Sequence, residues 1–217
     1  MSDSLTLYGP AFSPFVRVVR LFAAELGTKL PCGMSPYGDK IPSRSEGHLA
    51  LNPFGKLPVL IDGDFTLFET AAICRYLDQR LADGKVHAAL PVKQRALVEQ
   101  WAGAICMYGR LNVMDGFLLE LAFPKGEDGR PRMDIVVENL PAARAFVAIM
   151  ERQLQQGSWI AGDEYSFADS ALTPFLDYLS TVPALDAEGE MIAGDSACAD
   201  FLERVKSRDS AWVLTER

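Results

Sequence analysis

Two short stretches of the sequence combine residue types that can hold an anionic ligand. Ser13-Pro14 precedes an apolar-periodic run, where serine at the N-cap and proline at the first helical position form an ordinary helix start. Glu69-Thr70 ends an apolar run and opens the next helical pattern. Free backbone N–H groups at a helix N-terminus attract anions, and a serine hydroxyl there can donate a further hydrogen bond. If the anion is a thiolate, this bond lowers the pKa of the thiol and increases the nucleophile present near neutral pH. A plain helix cap is the alternative for both stretches.

The elements that would position these residues alternate between strand and helix patterns. Pro58 has no N–H for a ladder hydrogen bond, so it belongs at the first position of a strand or in a turn. The predicted order is strand Leu5–Tyr8, helix Val16–Leu26, strand Leu30–Met34, loop Pro36–Leu51, strand Val59–Ile61, turn Asp62–Asp64, strand Phe65–Phe68 and helix Ala71–Leu81. This βαβ-ββα order is typical of a thioredoxin-like α/β domain with a mixed sheet. Redox proteins of that fold carry Cys-Pro-x-Cys where this chain has Ser13-Pro14, which excludes disulfide exchange through the motif.

The sequence from about residue 92 onward is helical in pattern. Val92–Phe123 has apolar residues at three- and four-residue steps, with a bend expected at Gly109 or Gly116. Ile135–Leu154 continues that period, and Pro141 either kinks this helix or marks its start. Ser166 and Asp169 have the spacing of a capping box, and Ala199–Val205 is the last clear helix. We therefore predict an α/β domain over residues 1–82, a linker over 83–91 and an all-α domain over 92–217.

Composition excludes several classes of function. The chain has 217 residues, a formal net charge of -8 and a sequence pI of about 4.8. An acidic chain without Lys/Arg runs is not expected to bind nucleic acid. Four scattered cysteines and two histidines give no zinc-site spacing, so no metal is expected. The N-terminus lacks a signal-peptide pattern and no apolar run could span a membrane. These features predict a soluble cytoplasmic protein with reduced thiols.

Two regions of the sequence resemble the cytosolic glutathione transferases, and the likeness is closest to serine-type, phi-class-like and bacterial members. The first region runs from Leu7 to Pro14 and continues through Arg17-Val18 and Glu25-Leu26-Gly27. The second joins Asn52-Pro53-Phe54-Gly55-Lys56-Leu57-Pro58-Val59-Leu60 to Phe68-Glu69-Thr70-Ala71-Ala72-Ile73. The resemblance implies a thioredoxin-like domain followed by an all-helical domain, with glutathione as co-substrate and no metal.

The same resemblance implies a role for each matching position. Ser13 would be the catalytic serine that activates the glutathione thiolate. Seven residues would bind glutathione. Ser13 would contact its sulfur, Arg44 and Lys56 its glycyl carboxylate, and Leu57, which precedes the cis residue Pro58, would pair through its backbone. Glu69 would meet the γ-glutamyl ammonium and Thr70 the γ-glutamyl carboxylate. The chain departs from the phi pattern in one place: a His-Lys pair expected before Asn-Pro-Phe-Gly is replaced by Ser43-Arg44. Arginine can still donate to a carboxylate, but the histidine contact is missing.

Family geometry also implies an electrophile pocket and a dimer contact. The pocket would lie between the first loop and the long helix, and its candidate residues are Phe12, Tyr108, Leu111 and Phe117. Residues at helical spacing can equally be plain core. Phe54 matches a position that plugs a partner subunit in family homodimers, and its alternative is to fold back on its own sheet.

Three functions compete on these residues. The first is glutathione transfer to an electrophilic, largely apolar substrate. The second keeps glutathione but reduces peroxides or isomerises a substrate. The third is a non-catalytic interaction protein of this fold, which the presence of Ser13 and of the Glu69-Thr70 pair disfavours.

Overall fold

Four strands form one mixed sheet in a computed structural model that describes residues 5–216. The sheet order is β2-β1-β3-β4, with β1 Thr6–Tyr8, β2 Cys32–Gly33, β3 Val59–Asp62 and β4 Phe65–Phe68. β1 is parallel to β2 and antiparallel to β3, which pairs antiparallel with β4. The predicted thioredoxin-like topology is therefore confirmed.

The strand register brings three chain segments to one edge of the sheet. Tyr8, the last residue of β1, lies opposite Val59, the first residue of β3. Val59 in turn lies opposite Phe68, the last residue of β4. Because both pairings are antiparallel, the segments after β1, before β3 and after β4 meet at the same edge.

Each of the two long helices of the α/β region follows one of these strands: α1 follows β1 after a short loop, and α3 follows β4 after a single residue. α1 spans Pro14–Glu25 with Ser13 as its N-cap, and α3 spans Thr70–Ala82 with Glu69 as its N-cap. Gly27 has φ +76° just beyond α1, the left-handed conformation that ends many helices. The short α2, Glu46–Leu51, occupies the predicted loop.

The long predicted helix Val92–Phe123 is divided into three parts. α4 spans Val92–Tyr108, a π-helical segment spans Gly109–Leu118, and α5 spans Leu119–Ala122. Helical dihedrals break at Asp115 and Gly116, which confirms one of the two predicted bend positions. Gly116 has φ +75°, which strains other residues, and a Cβ there would lie 2.5 Å from the Asn139 side chain, which would have to move.

Four further α-helices follow along the described part of the chain. They are α6 Met133–Leu154, α7 Phe167–Leu179, α8 Ala197–Lys206 and α9 Trp212–Thr215, with 3₁₀ turns at Glu127–Gly129 and Asp209–Ala211. Pro141 lies inside α6, so the alternative that it starts this helix is wrong. The predicted thioredoxin-like plus all-helical fold class is confirmed as a whole.

The predicted capping box at the start of α7 is present. The Asp169 carboxylate accepts hydrogen bonds of 2.8 Å from the N–H and hydroxyl of Ser166. It also accepts a third bond of 2.8 Å from the N–H of Ile160. Asp169 is completely buried, and this burial raises its pKa to about 6 despite the three donors.

Contacts divide the chain into two units whose limits differ from the predicted boundaries at 82 and 92. The first unit runs to Arg95 and takes in the chain from Arg208 onward, whereas the second is Ala96–Ser207. The C-terminal segment joins the first unit because Glu25 of α1 accepts bonds from Arg208 Nε at 2.9 Å and from the Ser210 hydroxyl at 2.5 Å. The buried Arg17 also donates to the Leu214 carbonyl at 3.1 Å.

Across residues 5–216 no helix is both long and apolar enough to cross a membrane. Over the same range no three His, Cys, Asp or Glu side chains are grouped as metal ligands would be.

The raised pKa of Asp169 predicts a pH-dependent contribution to stability. Its folded pKa of about 6 lies above the usual value of 3.8, so the stabilisation is complete at low pH and declines as pH rises through 6. Relative to Asp169→Asn, the wild-type protein should lose about 1 kcal/mol of unfolding free energy between pH 5 and pH 7.5. Urea unfolding of both proteins at the two pH values measures this. A wild-type protein that gains stability over that interval would show that the three hydrogen bonds outweigh burial.

Candidate functional site

Ser13 places a hydroxyl at the N-terminus of α1. It is half-buried, and among the described residues its side chain makes no capping hydrogen bond. Its carbonyl accepts the first helical bond, from Arg17 N at 2.9 Å, so the cap geometry comes from the backbone alone. The hydroxyl can therefore donate to a ligand without breaking a bond of the helix.

Tyr8 is the neighbouring hydroxyl on the preceding strand, and it is already engaged. Its phenol is fully buried and donates to the Ile41 carbonyl at 3.0 Å. Burial also raises the pKa of Tyr8, which keeps the phenol protonated. Of these two hydroxyls, Ser13 is the one that can meet an incoming ligand.

Leu57 and Pro58 form the turn that enters β3. The Leu57–Pro58 peptide is cis, as the family resemblance implies. Within residues 5–216 neither the N–H nor the C=O of Leu57 has a hydrogen-bond partner. A Cβ built on Gly9 would lie 3.6 Å from Leu57 Cβ and 2.5 Å from a Val16 methyl, so the loop after β1, this turn and α1 approach closely. The unpaired backbone of Leu57 is thus available for pairing with an extended ligand.

Glu69 has a conformation that few non-glycine residues adopt. Its φ is +76° and its ψ is 116°, and its side chain is exposed and makes no capping bond. Such a conformation costs on the order of 1–3 kcal/mol and is found mainly where function requires it. Thr70, the first residue of α3, is buried. It therefore lies beside the backbone N–H groups at the N-terminus of that helix. The arrangement can hold an amine at Glu69 and a carboxylate at Thr70.

Arg44 and Lys56 add two exposed cations beside this edge. Arg44 precedes α2 with φ +62°, and Lys56 follows the turn at Gly55. The two loops are neighbours, because a Cβ built on Gly55 would lie 3.7 Å from Arg44 Cγ. Two cations on adjacent loops suit a second carboxylate on the same ligand.

All seven residues predicted to bind the ligand belong to the first unit. Ser13, the Leu57–Pro58 turn and the Glu69–Thr70 helix start follow from the strand register, and Arg44 and Lys56 flank them. Between them these groups offer an acid for an amine, two cationic or N–H-rich positions for carboxylates, and a free hydroxyl. An extended zwitterionic peptide fits that chemistry.

The predicted pocket residues do not share one environment. Phe12, in the first unit, is 46% exposed. In the second unit Tyr108 is 55% exposed and Leu111 is 54% exposed. Phe117 is fully buried in the core of that unit, so it cannot touch a substrate in this structure. Helical spacing predicted an apolar face correctly but could not tell core from surface at Phe117.

Phe54, the predicted dimer contact, is 70% exposed. Its ring meets the edge of Phe68 with a centroid distance of 6.1 Å. Phe54 thus makes some contact with its own sheet, which was the alternative to a partner subunit, but most of its ring remains exposed to solvent.

Two residues that organise this site were missed in the sequence. Asn52 and His48 are both buried, and both contact the Lys56 carbonyl. The Asn-Pro-Phe-Gly segment is itself a signal, since asparagine commonly accepts from the N–H two residues on, here Phe54 N at 3.0 Å. No comparable sequence signal marks His48.

Comparison with known families matches both regions of the chain to one family. Residues 3–79 match the model described as the glutathione S-transferase N-terminal domain, and residues 136–204 match the glutathione S-transferase C-terminal domain. The chain is 31% identical over 183 residues to glutathione S-transferase F10 of Arabidopsis thaliana, an alignment that covers 81% of this chain and 80% of the relative.

Solved structures share the fold over nearly the full chain. Poplar glutathione transferase F1 superposes with a TM-score of 0.80 at 24% identity, covering 99% of this chain and 98% of the poplar chain. The theta-class glutathione S-transferase of Xanthomonas axonopodis pv. citri, solved with glutathione bound, gives a TM-score of 0.77 at 21% identity, covering 96% and 95% of the two chains. At these identities the likeness concerns the fold.

The backbone strain at Glu69 predicts an unusual pair of variants. Glu69→Gly should raise the unfolding free energy by up to about 1 kcal/mol, because glycine adopts a positive φ without penalty and this gain exceeds its entropic cost. Glu69→Ala keeps a Cβ and should give no such gain. Denaturant unfolding of the two variants measures the difference, and a glycine variant less stable than the alanine variant would contradict the assigned strain.

Proposed function

The chain belongs to the glutathione S-transferase family, and we propose that it binds glutathione at the sheet edge and activates the thiol through Ser13. The thiol proton is released to solvent, and the thiolate then attacks an electrophilic carbon of a second substrate. The new C–S bond of the thioether forms as the bond from that carbon to a leaving group breaks, and the leaving group departs with the electron pair. The observation that carries the proposal is the uncommitted Ser13 hydroxyl at the N-terminus of α1. A hydrogen bond from that hydroxyl, together with the N–H groups of the helix, favours thiolate over thiol.

Glutathione is expected to lie across the edge in an extended form. The Leu57 backbone pairs with its cysteinyl residue, which sets the sulfur toward Ser13. Glu69 accepts from the γ-glutamyl ammonium, and Thr70 with the first N–H groups of α3 binds the γ-glutamyl carboxylate. Arg44 and Lys56 meet the glycyl carboxylate. The strained and exposed Glu69 and the unpaired Leu57 backbone support these assignments.

The second substrate is expected to be largely apolar. Phe12, Tyr108 and Leu111 each leave substantial apolar surface exposed, which supports this proposal. Phe117 is not included, because its ring is buried.

Ser13→Ala tests the proposed activation directly. Without the hydroxyl, the pKa of bound glutathione thiol should rise by about one unit or more, since a hydrogen bond to a charged group is worth roughly 1.5–3 kcal/mol. Turnover near neutral pH should fall, and its pH–rate profile should shift to higher pH, while glutathione affinity changes little. Thiolate absorbance of the bound ligand, titrated with pH, measures the shift.

A matched control is Ser180→Ala, which removes an exposed hydroxyl that bonds the Asp177 carbonyl at 2.8 Å. That variant should titrate like the wild-type protein. If Ser13→Ala also leaves the thiol pKa and the pH–rate profile unaltered, Ser13 is a helix cap and has no catalytic role.

We further propose that the protein is a symmetric homodimer in which Phe54 enters the partner subunit. The support is its 70% exposure in a turn whose backbone is fixed by Asn52. Two-fold symmetry uses such an anchor twice, so one substitution removes two contacts.

Light scattering on the wild-type protein and on Phe54→Ala tests this assembly. The wild-type mass should be twice the 23.8 kDa of a single chain, and Phe54→Ala should move it toward the monomer. Phe65→Ala is the control, because Phe65 is also exposed but packs on Tyr76 of its own chain, with ring centroids 5.3 Å apart. A monomeric wild-type protein would rule out the dimer, and a dimeric Phe54→Ala would rule out Phe54 as its anchor.

A further inference from the structure

His48 is a fully buried histidine whose two ring nitrogens each bind the backbone of a different loop. Nδ1 accepts from the Arg44 N–H at 2.9 Å. A nitrogen that accepts carries no proton in neutral imidazole, so Nε2 carries it and donates to the Lys56 carbonyl at 3.1 Å. The ring therefore joins the loop before α2 to the turn before β3, at the two residues that carry the exposed cations.

Both tethered loops need such support. Arg44 has φ +62°, which a non-glycine residue keeps only when surrounding contacts hold it. The Lys56 carbonyl also accepts from Asn52 Nδ2 at 2.9 Å, so the turn has a second tether that does not reach the Arg44 loop. His48 is thus the link between the two loops, while Asn52 holds one of them.

The imidazole is itself fixed to the sheet. Tyr8 of β1 packs edge-on against it, with ring centroids 4.9 Å apart and planes at 70°. The Ser45 hydroxyl, which caps α2, accepts from the His48 N–H at 3.3 Å. The two loops are therefore fixed in position relative to β1, the strand that precedes Ser13.

We propose that His48 is a positioning residue: it sets Arg44 and Lys56 so that both face one carboxylate of the ligand. This inference rests on the proposed binding of glutathione and deepens it by assigning selectivity for the glycyl carboxylate. The residue acts through the two loops and touches neither the ligand nor the reacting sulfur. Loss of the ring lets the two cations drift apart, and the site then loses its preference for an ionised glycyl end.

The test compares glutathione with its glycyl monoethyl ester, which keeps the shape of the tripeptide but not that charge. Calorimetric titration of the wild-type protein should show tighter binding of glutathione than of the ester. His48→Leu should weaken glutathione binding about tenfold, as expected when one charge-assisted bond fails to form. Ester binding should stay essentially unchanged, KM for glutathione should rise, and kcat at saturating glutathione should hold.

Two further variants keep the test decisive if His48→Leu does not fold. The asparagine amide lies near the Nδ1 position and the glutamine amide near Nε2, so His48→Asn retains the bond to Arg44 and His48→Gln the bond to Lys56. Each should lose part of the preference for glutathione over the ester. His87→Leu is the matched control, since it removes the other buried histidine of the chain and should leave the preference intact.

The outcomes separate this inference from the function on which it rests. A wild-type protein that binds neither ligand refutes the proposed function and the inference with it. A wild-type protein that binds both equally, or a His48→Leu variant that loses both equally, overturns the inference alone. Wild-type selectivity in both His48→Asn and His48→Gln also overturns it.

Discussion

The antiparallel pairing of β1, β3 and β4 is the constraint on which the site depends. Tyr8, Val59 and Phe68 lie side by side across three strands, although more than 50 residues of sequence separate the first from the other two. Only this register delivers the serine loop, the cis-proline turn and the start of α3 to one edge. A slip of one residue would also turn the buried faces of the strands outward, so core packing and site assembly are fixed by the same pairing.

Two of the four described non-glycine residues with positive φ belong to the candidate site. Glu69 and Arg44 both have positive φ, and both belong to the seven residues predicted to bind the ligand. The Arg44 loop is held by His48, whose ring also binds the Lys56 carbonyl, and Asn52 binds the same carbonyl. Thr70, the residue after Glu69, is buried. The second unit has its own capping box at Ser166 and Asp169, remote in sequence from that strain. If the edge binds the proposed ligand, this strain is part of the free-energy cost of a preformed site.

Local rules predicted much of the fold from the sequence. Helix-cap chemistry located Ser13 and Ser166, and the hairpin spacing located Asp62–Asp64 and the strands around it. The features that local rules could not predict depend on three-dimensional packing. The apolar spacing that includes Phe117 does not reveal whether its ring is buried in the core or exposed to a substrate. The C-terminal segment groups with the first unit through the contact of Glu25 with Arg208, which lies 183 residues away in sequence. His48 was missed because its partners are backbone groups of two loops, which no residue pattern encodes.

Thermal unfolding in the presence of glutathione tests most directly whether this edge is a glutathione site. A ligand that binds only the folded state raises the melting temperature by mass action, so millimolar glutathione should shift the wild-type transition upward. Glu69→Ala removes the proposed partner of the γ-glutamyl ammonium and should abolish most of that shift. A wild-type protein whose transition does not move, or a Glu69→Ala variant that shifts as much as the wild type, would contradict the assignment.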